Sequence, residues 1–152
     1  MEDATLQHEV IIVGAGVAGI YQLYRLLEMG VDVTVLEAGS GPGGTWYWNR
    51  YPGCRFDSES YTYGYSFSKE LMNEWNWSEH FSGQPETLRY LEHVVEKFDL
   101  RKHMQFGRRV ESAVFDEDAC LWILNLSDGR NLTTRFLFTA IGMLSAPTMP
   151  TI

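Results

Sequence analysis

Val10-Ile11-Ile12-Val13-Gly14-Ala15-Gly16-Val17-Ala18-Gly19 decides the fold of this chain. It reads as a buried strand running straight into a glycine-punctuated turn and then a helix. Gly14 permits the tight turn, Gly16 lets the backbone approach a pyrophosphate, and Gly19 lets helix and strand pack closely. The helix start at Val17 and Ala18 offers free N–H groups and the positive end of a dipole to phosphates. Val33-Thr34-Val35-Leu36-Glu37 supplies a second strand that ends on a carboxylate, roughly 20 residues past the turn, where dinucleotide sites place one. Glu37 is therefore expected to accept hydrogen bonds from the ribose hydroxyls of an adenosine. A lone GxGxxG is weak evidence. The strand before it, the helix after it and the acid behind it make nucleotide binding the reading.

Working outward, the spacing predicts a strand over 9–14, a helix over 17–29 and a strand over 31–37. The helix has Val17, Ile20, Tyr21, Tyr24 and Leu27 at helical period and Gly30 as its C-terminal glycine. Residues 38–67 carry no regular pattern and are rich in Gly, Pro and aromatics; a loop that long is usually functional. Within it Tyr61, Tyr63, Tyr65 and Phe67 alternate at strand period, which predicts one packed face. Ser82-Gly83-Gln84-Pro85-Glu86 has the composition of a helix start, with proline in the first turn and an acid to complement the dipole. That helix is expected to run to about Phe98, burying Leu88, Leu91, Val94, Val95 and Phe98. Met104–Arg108 reads as a third parallel strand. Val110–Phe115, Leu121–Leu126 and Leu132–Phe138 then read as a β-meander inserted into the nucleotide domain, with Ser127-Asp128-Gly129-Arg130 as a hairpin turn. Pro147 and Pro150 break regular structure after Thr139-Ala140-Ile141-Gly142. The fold class is thus α/β: one Rossmann-like βαβ dinucleotide-binding domain with a meander insertion.

Composition narrows the function classes. The 152 residues suit one domain, and 45% hydrophobic with 21% charged content is ordinary for a globular protein. A net charge of −8 with no basic run argues against a nucleic-acid surface. The two cysteines, Cys54 and Cys120, lack metal-ligand spacing, and reduced thiols in a cytoplasmic protein are expected. Met1–Thr5 is too polar for a secretory signal, and the glycine-broken run from Val10 to Ile20 is too short to span a bilayer, so no membrane partner is expected. His8, His80, His93 and His103 are scattered without partners that would make a catalytic base. No nucleophile motif or metal cluster is evident.

Together with the first fingerprint, Gly41-Pro42-Gly43-Gly44 and Thr139-Ala140-Ile141-Gly142 resemble the FAD domain of two-dinucleotide-binding flavoproteins. A narrower match lies in Gly43-Gly44-Thr45-Trp46-Tyr47-Trp48-Asn49-Arg50-Tyr51-Pro52-Gly53-Cys54-Arg55-Phe56-Asp57. It continues through Tyr63, Tyr65-Ser66-Phe67, Glu74-Trp75-Asn76-Trp77 and Lys97-Phe98-Asp99-Leu100. This set is similar to Baeyer–Villiger monooxygenases, class B flavoproteins. The resemblance implies FAD, NADPH and oxygen as cofactors and co-substrate, a ketone converted to an ester or lactone, and a flavin peroxide as nucleophile. It also implies that residues 1–152 are the N-terminal portion of the FAD-binding domain. The second glycine fingerprint for NADPH, the family's Phe-Gly-His-Trp signature and its catalytic arginine are not in this sequence. The chain alone is therefore expected not to oxygenate ketones, and a homo-oligomer is expected to cover apolar surface left bare.

The same resemblance assigns roles. Gly44 and the backbones of Thr45 and Trp46 lie near the flavin, Gly142 passes close to FAD, and Tyr63 matches a FAD contact. Asp57 lies at the flavin and helps position the arginine, which makes it the catalytic residue of this segment. Arg55 lies on the NADPH side. Val110 reads the adenine through its backbone. Against these stand plainer accounts: an Arg55–Asp57 ion pair at a loop end, Trp48 as loop packing, Trp75 and Trp77 as core anchors. Two alternatives in function remain. One is a class B monooxygenase acting on nitrogen or sulfur, a group that generally lacks the Trp-Tyr-Trp-Asn-Arg-Tyr-Pro run. The other is a non-catalytic nucleotide-binding module.

Overall fold

The computed structural model describes residues 6–143, 145 and 149–151. Met1–Thr5 and Pro147, given roles above, lie outside them. The chain opens with β1 (His8–Val13), α1 (Val17–Glu28) and β2 (Val33–Glu37), the predicted βαβ start. α1 ends one residue early and β2 begins two residues late because a Schellman closure occupies the link. Val31 N donates to Leu26 O and Gly30 N to Leu27 O, with Gly30 at φ +73°. Side chains alternate across the strands. Val10, Ile12, Val33 and Val35 pack with Ile20 and Leu23 of α1 in one cluster, while Ile11 and Leu36 belong to a second.

The first cluster is completed by α5 (Gln84–Lys97) through Tyr90, Leu91, Val94 and Val95. Leu88 and Phe98, expected in that core, are only partly buried. The second cluster is covered by β4 (Val110–Asp116) and β5 (Leu121–Leu126), whose Leu124 and Leu126 meet Ile11 and Leu36. The meander thus serves as the cover for the second face of the parallel sheet.

β3 (Met104–Phe106) and β6 (Asn131–Thr139) complete one six-stranded sheet in the order β3-β2-β1-β6-β5-β4. β3 stops at Phe106, two residues short of expectation, because Gly107 turns the chain at φ +65°. β6 does two jobs. Asn131–Thr134 pairs antiparallel with β5, and Thr134–Thr139 pairs parallel with β1. Thr133 and Thr134 are both buried where the strand passes from its β5 partner to its β1 partner. The Thr134 hydroxyl bonds the carbonyls of Glu9 and Phe136 at that point.

Residues 38–67 are not wholly irregular. They hold two single-turn helices, α2 (Thr45–Trp48) and α3 (Ser60–Tyr63), and α4 (Lys69–Glu74) follows. The strand-period reading of Tyr61–Phe67 is corrected by α3. Thr62 and Tyr63 donate to Glu59 O, which closes a helical turn, and Tyr61 points to solvent. Tyr63, Tyr65 and Phe67 instead enter an aromatic cluster from different directions. Tyr63 stacks on Phe56 at 4.3 Å, Phe67 stacks on Tyr24 at 4.2 Å, and the Tyr65 hydroxyl donates to Val17 O. Among the described residues, no helix is long and apolar enough to cross a membrane.

Candidate functional site: a glycine-lined cleft at the carboxyl ends of the parallel strands

β1 lies between β2 and β6, and the segments leaving the three strands converge at their carboxyl ends. This is where open α/β sheets bind ligands. Gly14 N donates to Leu36 O and Ala140 N to Val13 O, which ties the turn to both neighbours. Gly14 sits at φ +104°, and a Cβ there would stand 2.5 Å from Ala140 O. A Cβ on Gly19 would stand 1.9 Å from Gly14 O, so this glycine lets helix and turn touch, as its spacing predicts. Gly16 has an additional partner. Its Cα faces the Cα of Gly44, 2.7 Å from where a Gly44 Cβ would lie, and Gly43 N donates to Ala15 O. The two glycine clusters therefore form one continuous backbone wall.

α1 begins on Gly16 with no side-chain cap and no acid in its first turn. Its first N–H groups lack intrahelical acceptors. This end thus carries the positive end of the helix with no acid in its own first turn, which suits a phosphate. Glu37 is 5% exposed, and its two oxygens accept Ala15 N at 2.8 Å and Gly39 N at 2.7 Å. An ionised carboxylate has about four acceptor positions, so roughly two remain for hydroxyl donors. The Ala15 and Gly39 contacts have no counterpart in the sequence reading, which gives Glu37 the ribose alone. Arg108 N donates to Glu37 O and Gly107 N to Gly39 O. That places Val110, two residues further on, beside the Glu37 end of the cleft with its side chain in the second core cluster. Gly142 follows Ala140 and is exposed.

The flavin-side candidates sit on a different kind of scaffold. Thr45 is exposed and opens α2, directly after Gly44. The Trp46 side chain is buried: its Nε1 donates to the Tyr63 hydroxyl at 2.7 Å, and its ring meets Phe56 and Tyr63 edge-on at 5.7 Å. Burial raises the Tyr63 pKa, only partly offset by the bond from Trp46. Trp48 is 58% exposed yet packs within the loop, edge-on to Tyr47 at 4.9 Å and against Gly39. Trp75 and Trp77 are partly buried against Tyr90, as expected of core anchors.

Arg55 does not pair with Asp57. Its Nη1 bonds Glu79 Oε2 at 3.0 Å and Phe81 O at 2.9 Å. Asp57 is exposed and has no hydrogen bond or ion pair among the described residues. The Cys54–Asp57 segment is held instead by the start of α5. Gln84 N donates to Cys54 O at 2.8 Å, and Gln84 Nε2 donates to Trp46 O. Glu86, read from sequence only as a dipole complement, is buried and accepts Ser78 N at 2.9 Å, Ser78 Oγ at 2.6 Å and Ser82 Oγ at 2.6 Å. Burial works to raise its pKa, but the Ser78 and Ser82 bonds outweigh burial and hold it below the ordinary carboxylate value.

Residues 12–75 match the model of an NAD(P)-binding Rossmann-like domain. The chain is 47% identical to acetone monooxygenase (methyl acetate-forming) from Gordonia sp. strain TY-5, over 95% of its own length and 27% of that protein. It is 46% identical to the phenazine N-monooxygenase of Lysobacter antibioticus, with the same coverage. The crystal structure of OTEMO in complex with FAD and NADP superposes with a TM-score of 0.92 at 47% identity, covering 97% of this chain and 28% of that one. The chain spans about a quarter of the length of the curated relatives it matches. Over nearly its whole length the chain is similar to monooxygenases, among them a Baeyer–Villiger monooxygenase of Pseudooceanicola batsensis, 39% identical over 93% of this chain and 26% of that protein.

Proposed function

We propose that this chain is the FAD-binding portion of an NADPH- and oxygen-dependent flavin monooxygenase that converts ketones to esters or lactones. The observation that carries it is the cleft itself. An uncapped, acid-free helix start stands against a second glycine wall, beside a buried carboxylate that keeps acceptor positions for a ribose. The donor set fits a dinucleotide: N–H groups for the pyrophosphate at Gly16–Gly19, Glu37 for the adenosine ribose, and backbone near Val110 for the adenine. Gly44, Thr45 and the Trp46 backbone continue the wall toward the flavin end, and Gly142, exposed two residues past Ala140, is assigned to FAD with them. When bound, FAD supplies the redox chemistry, taking electrons from NADPH and reacting with oxygen.

The chain's own residues bind, orient and shield. Backbone N–H groups fix the phosphates without a counter-cation, and the Trp46–Tyr63–Phe56 cluster makes one side of the flavin end rigid and dry. The unpartnered Asp57 carboxylate is available to a cationic group, such as an arginine supplied from outside this segment. Arg55 marks the nicotinamide side. Oxygenation also needs a nicotinamide site and a closed reaction chamber, so the 152 residues alone are not expected to form product.

The acceptor is a second matter. A relative named as an N-oxygenase is as similar here as one that forms methyl acetate. Overall identity across this chain therefore does not by itself separate ketone from nitrogen acceptors, and nitrogen oxygenation is the second reading. Titration of the purified chain with FAD and with NAD tests the first claim: FAD should bind more tightly. Tight NAD binding without FAD binding would overturn it.

A further inference from the structure

Glu86 is a buried acid that the cleft does not use; among the described residues it makes no ion pair within 4.0 Å, and the one cation whose charge acts on it is Arg89. Its carboxylate closes a hook. Ser78 donates both N–H and hydroxyl to it, and Ser82 donates its hydroxyl. Inside the hook, the Ser60 hydroxyl bonds the carbonyls of Glu79 and His80 and accepts Ser82 N. At its crest, the Glu79 carboxylate and the Phe81 carbonyl grip one nitrogen of Arg55. Arg55 also bridges to Gly83, and Cys54 O accepts Gln84 N, so the segment leading to Asp57 is laid along the hook.

A buried carboxylate is a costly way to hold a loop, since desolvating a charge must be offset by every hydrogen bond it makes. It suits this place because three donors converge on two oxygens. From this geometry we propose that Glu86 is a positioning residue for the Arg55–Asp57 segment, acting through the Ser78–Ser82 hook and Arg55. The inference rests on the reading of Arg55 and Asp57 as cofactor-side residues. Glu86 touches no cofactor position itself.

The variants follow from the hydrogen-bond inventory. In Glu86→Gln, the amide oxygen accepts Ser78 N while the amide nitrogen donates to both hydroxyls, which rotate to receive it. The hook survives. In Glu86→Ala, three donors lose their partner and the hook opens.

Two readouts decide the matter. Amide hydrogen exchange at Ser82 and Gln84 should accelerate by about tenfold or more in Glu86→Ala and by about twofold or less in Glu86→Gln. The FAD dissociation constant should rise about tenfold in Glu86→Ala, recover in Glu86→Gln, and show no further rise when Glu86→Ala is added to Arg55→Ala. Additive losses in the double variant, or unchanged exchange in Glu86→Ala, would overturn the proposal. If the unaltered chain binds no FAD, the functional reading falls, and the exchange measurement alone still decides whether Glu86 holds the hook. Should Glu86→Ala fail to fold, Ser78→Ala and Ser82→Ala each remove one donor. Each should give a smaller rise, again absent in the Arg55→Ala background.

Discussion

The glycine cleft and the aromatic loop are neighbours built from different materials. Around Gly14–Gly19, Glu37 and Gly43–Gly44, nearly every contact is backbone to backbone or backbone to one carboxylate. From Trp46 to Glu86, position is set by side chains: stacked rings, serine hydroxyls, an amide and a buried acid. The first region fixes where a phosphate and a ribose can sit. The second fixes which charged groups can face the flavin end. The difference teaches that the phosphate and ribose positions are a property of chain geometry, whereas the approach of Arg55 and Asp57 is a property of packing, which reaches FAD affinity only through those two residues.

The largest break is expected in the cleft. Gly19→Ala forces a Cβ into the Gly14 carbonyl, and the backbone shift should cost about 3 kcal/mol or more in urea denaturation. A variant as stable as the parent would mean that helix and turn are not in contact. Within the loop, Trp46→Phe keeps an aromatic ring, smaller than the indole, and removes the bond to Tyr63. It should cost about 1–2 kcal/mol, with FAD affinity changed little because only the Trp46 backbone faces the cleft.

Alkali should loosen the loop before the cleft. Burial pushes the Tyr90 hydroxyl up to about 12, and burial likewise raises Tyr65 well above the ordinary 10.0. The fold therefore favours their neutral forms. This contribution is fully present below pH 10 and is lost as pH rises through the folded-state values. Urea midpoints measured from pH 8 to 12 should fall only above 10, and a Tyr90→Phe variant should show a shallower fall. Smallest of all is Glu79→Ala. The Arg55–Glu79 pair is about half exposed on both sides, so stability should change by less than about 1 kcal/mol. Any larger effect would show that the hook is held by that ion pair and not by Glu86.

This division also explains what the sequence made legible. Strand, turn and acid follow from local rules, since the φ of Gly14, the unbroken apolar, buried run Val10–Ile12 and the reach of roughly 20 residues to Glu37 are short-range consequences of residue type. The Schellman closure at Gly30 is equally local, although its effect on the start of β2 needed the hydrogen bonds to be seen. The alternating aromatics misled because period two says nothing when no strand lies alongside to pair; capture of Tyr65 by Val17 O and Tyr90 is long-range. The change of partner within β6 hides for a similar reason, since two adjacent threonines carry no pattern of their own. Arg55 and Asp57 looked like a pair because they are two residues apart, yet Glu79 wins Arg55 through a loop that sequence spacing cannot place. Glu86 was visible as an acid near a helix start, but its serine partners lie before the helix and outside any capping pattern.

The most direct test of the central claim is the FAD affinity of Glu37→Gln. The substitution keeps the shape of the side chain and removes the charge that faces Ala15 N, Gly39 N and the proposed ribose. Loss of a charge-assisted hydrogen bond should weaken FAD binding by about 1.5–3 kcal/mol, read as a rise in dissociation constant by calorimetric titration, with the melting temperature recorded to separate binding from folding. An unchanged dissociation constant would contradict the account, because a carboxylate that never meets the ribose leaves this cleft without its adenosine anchor.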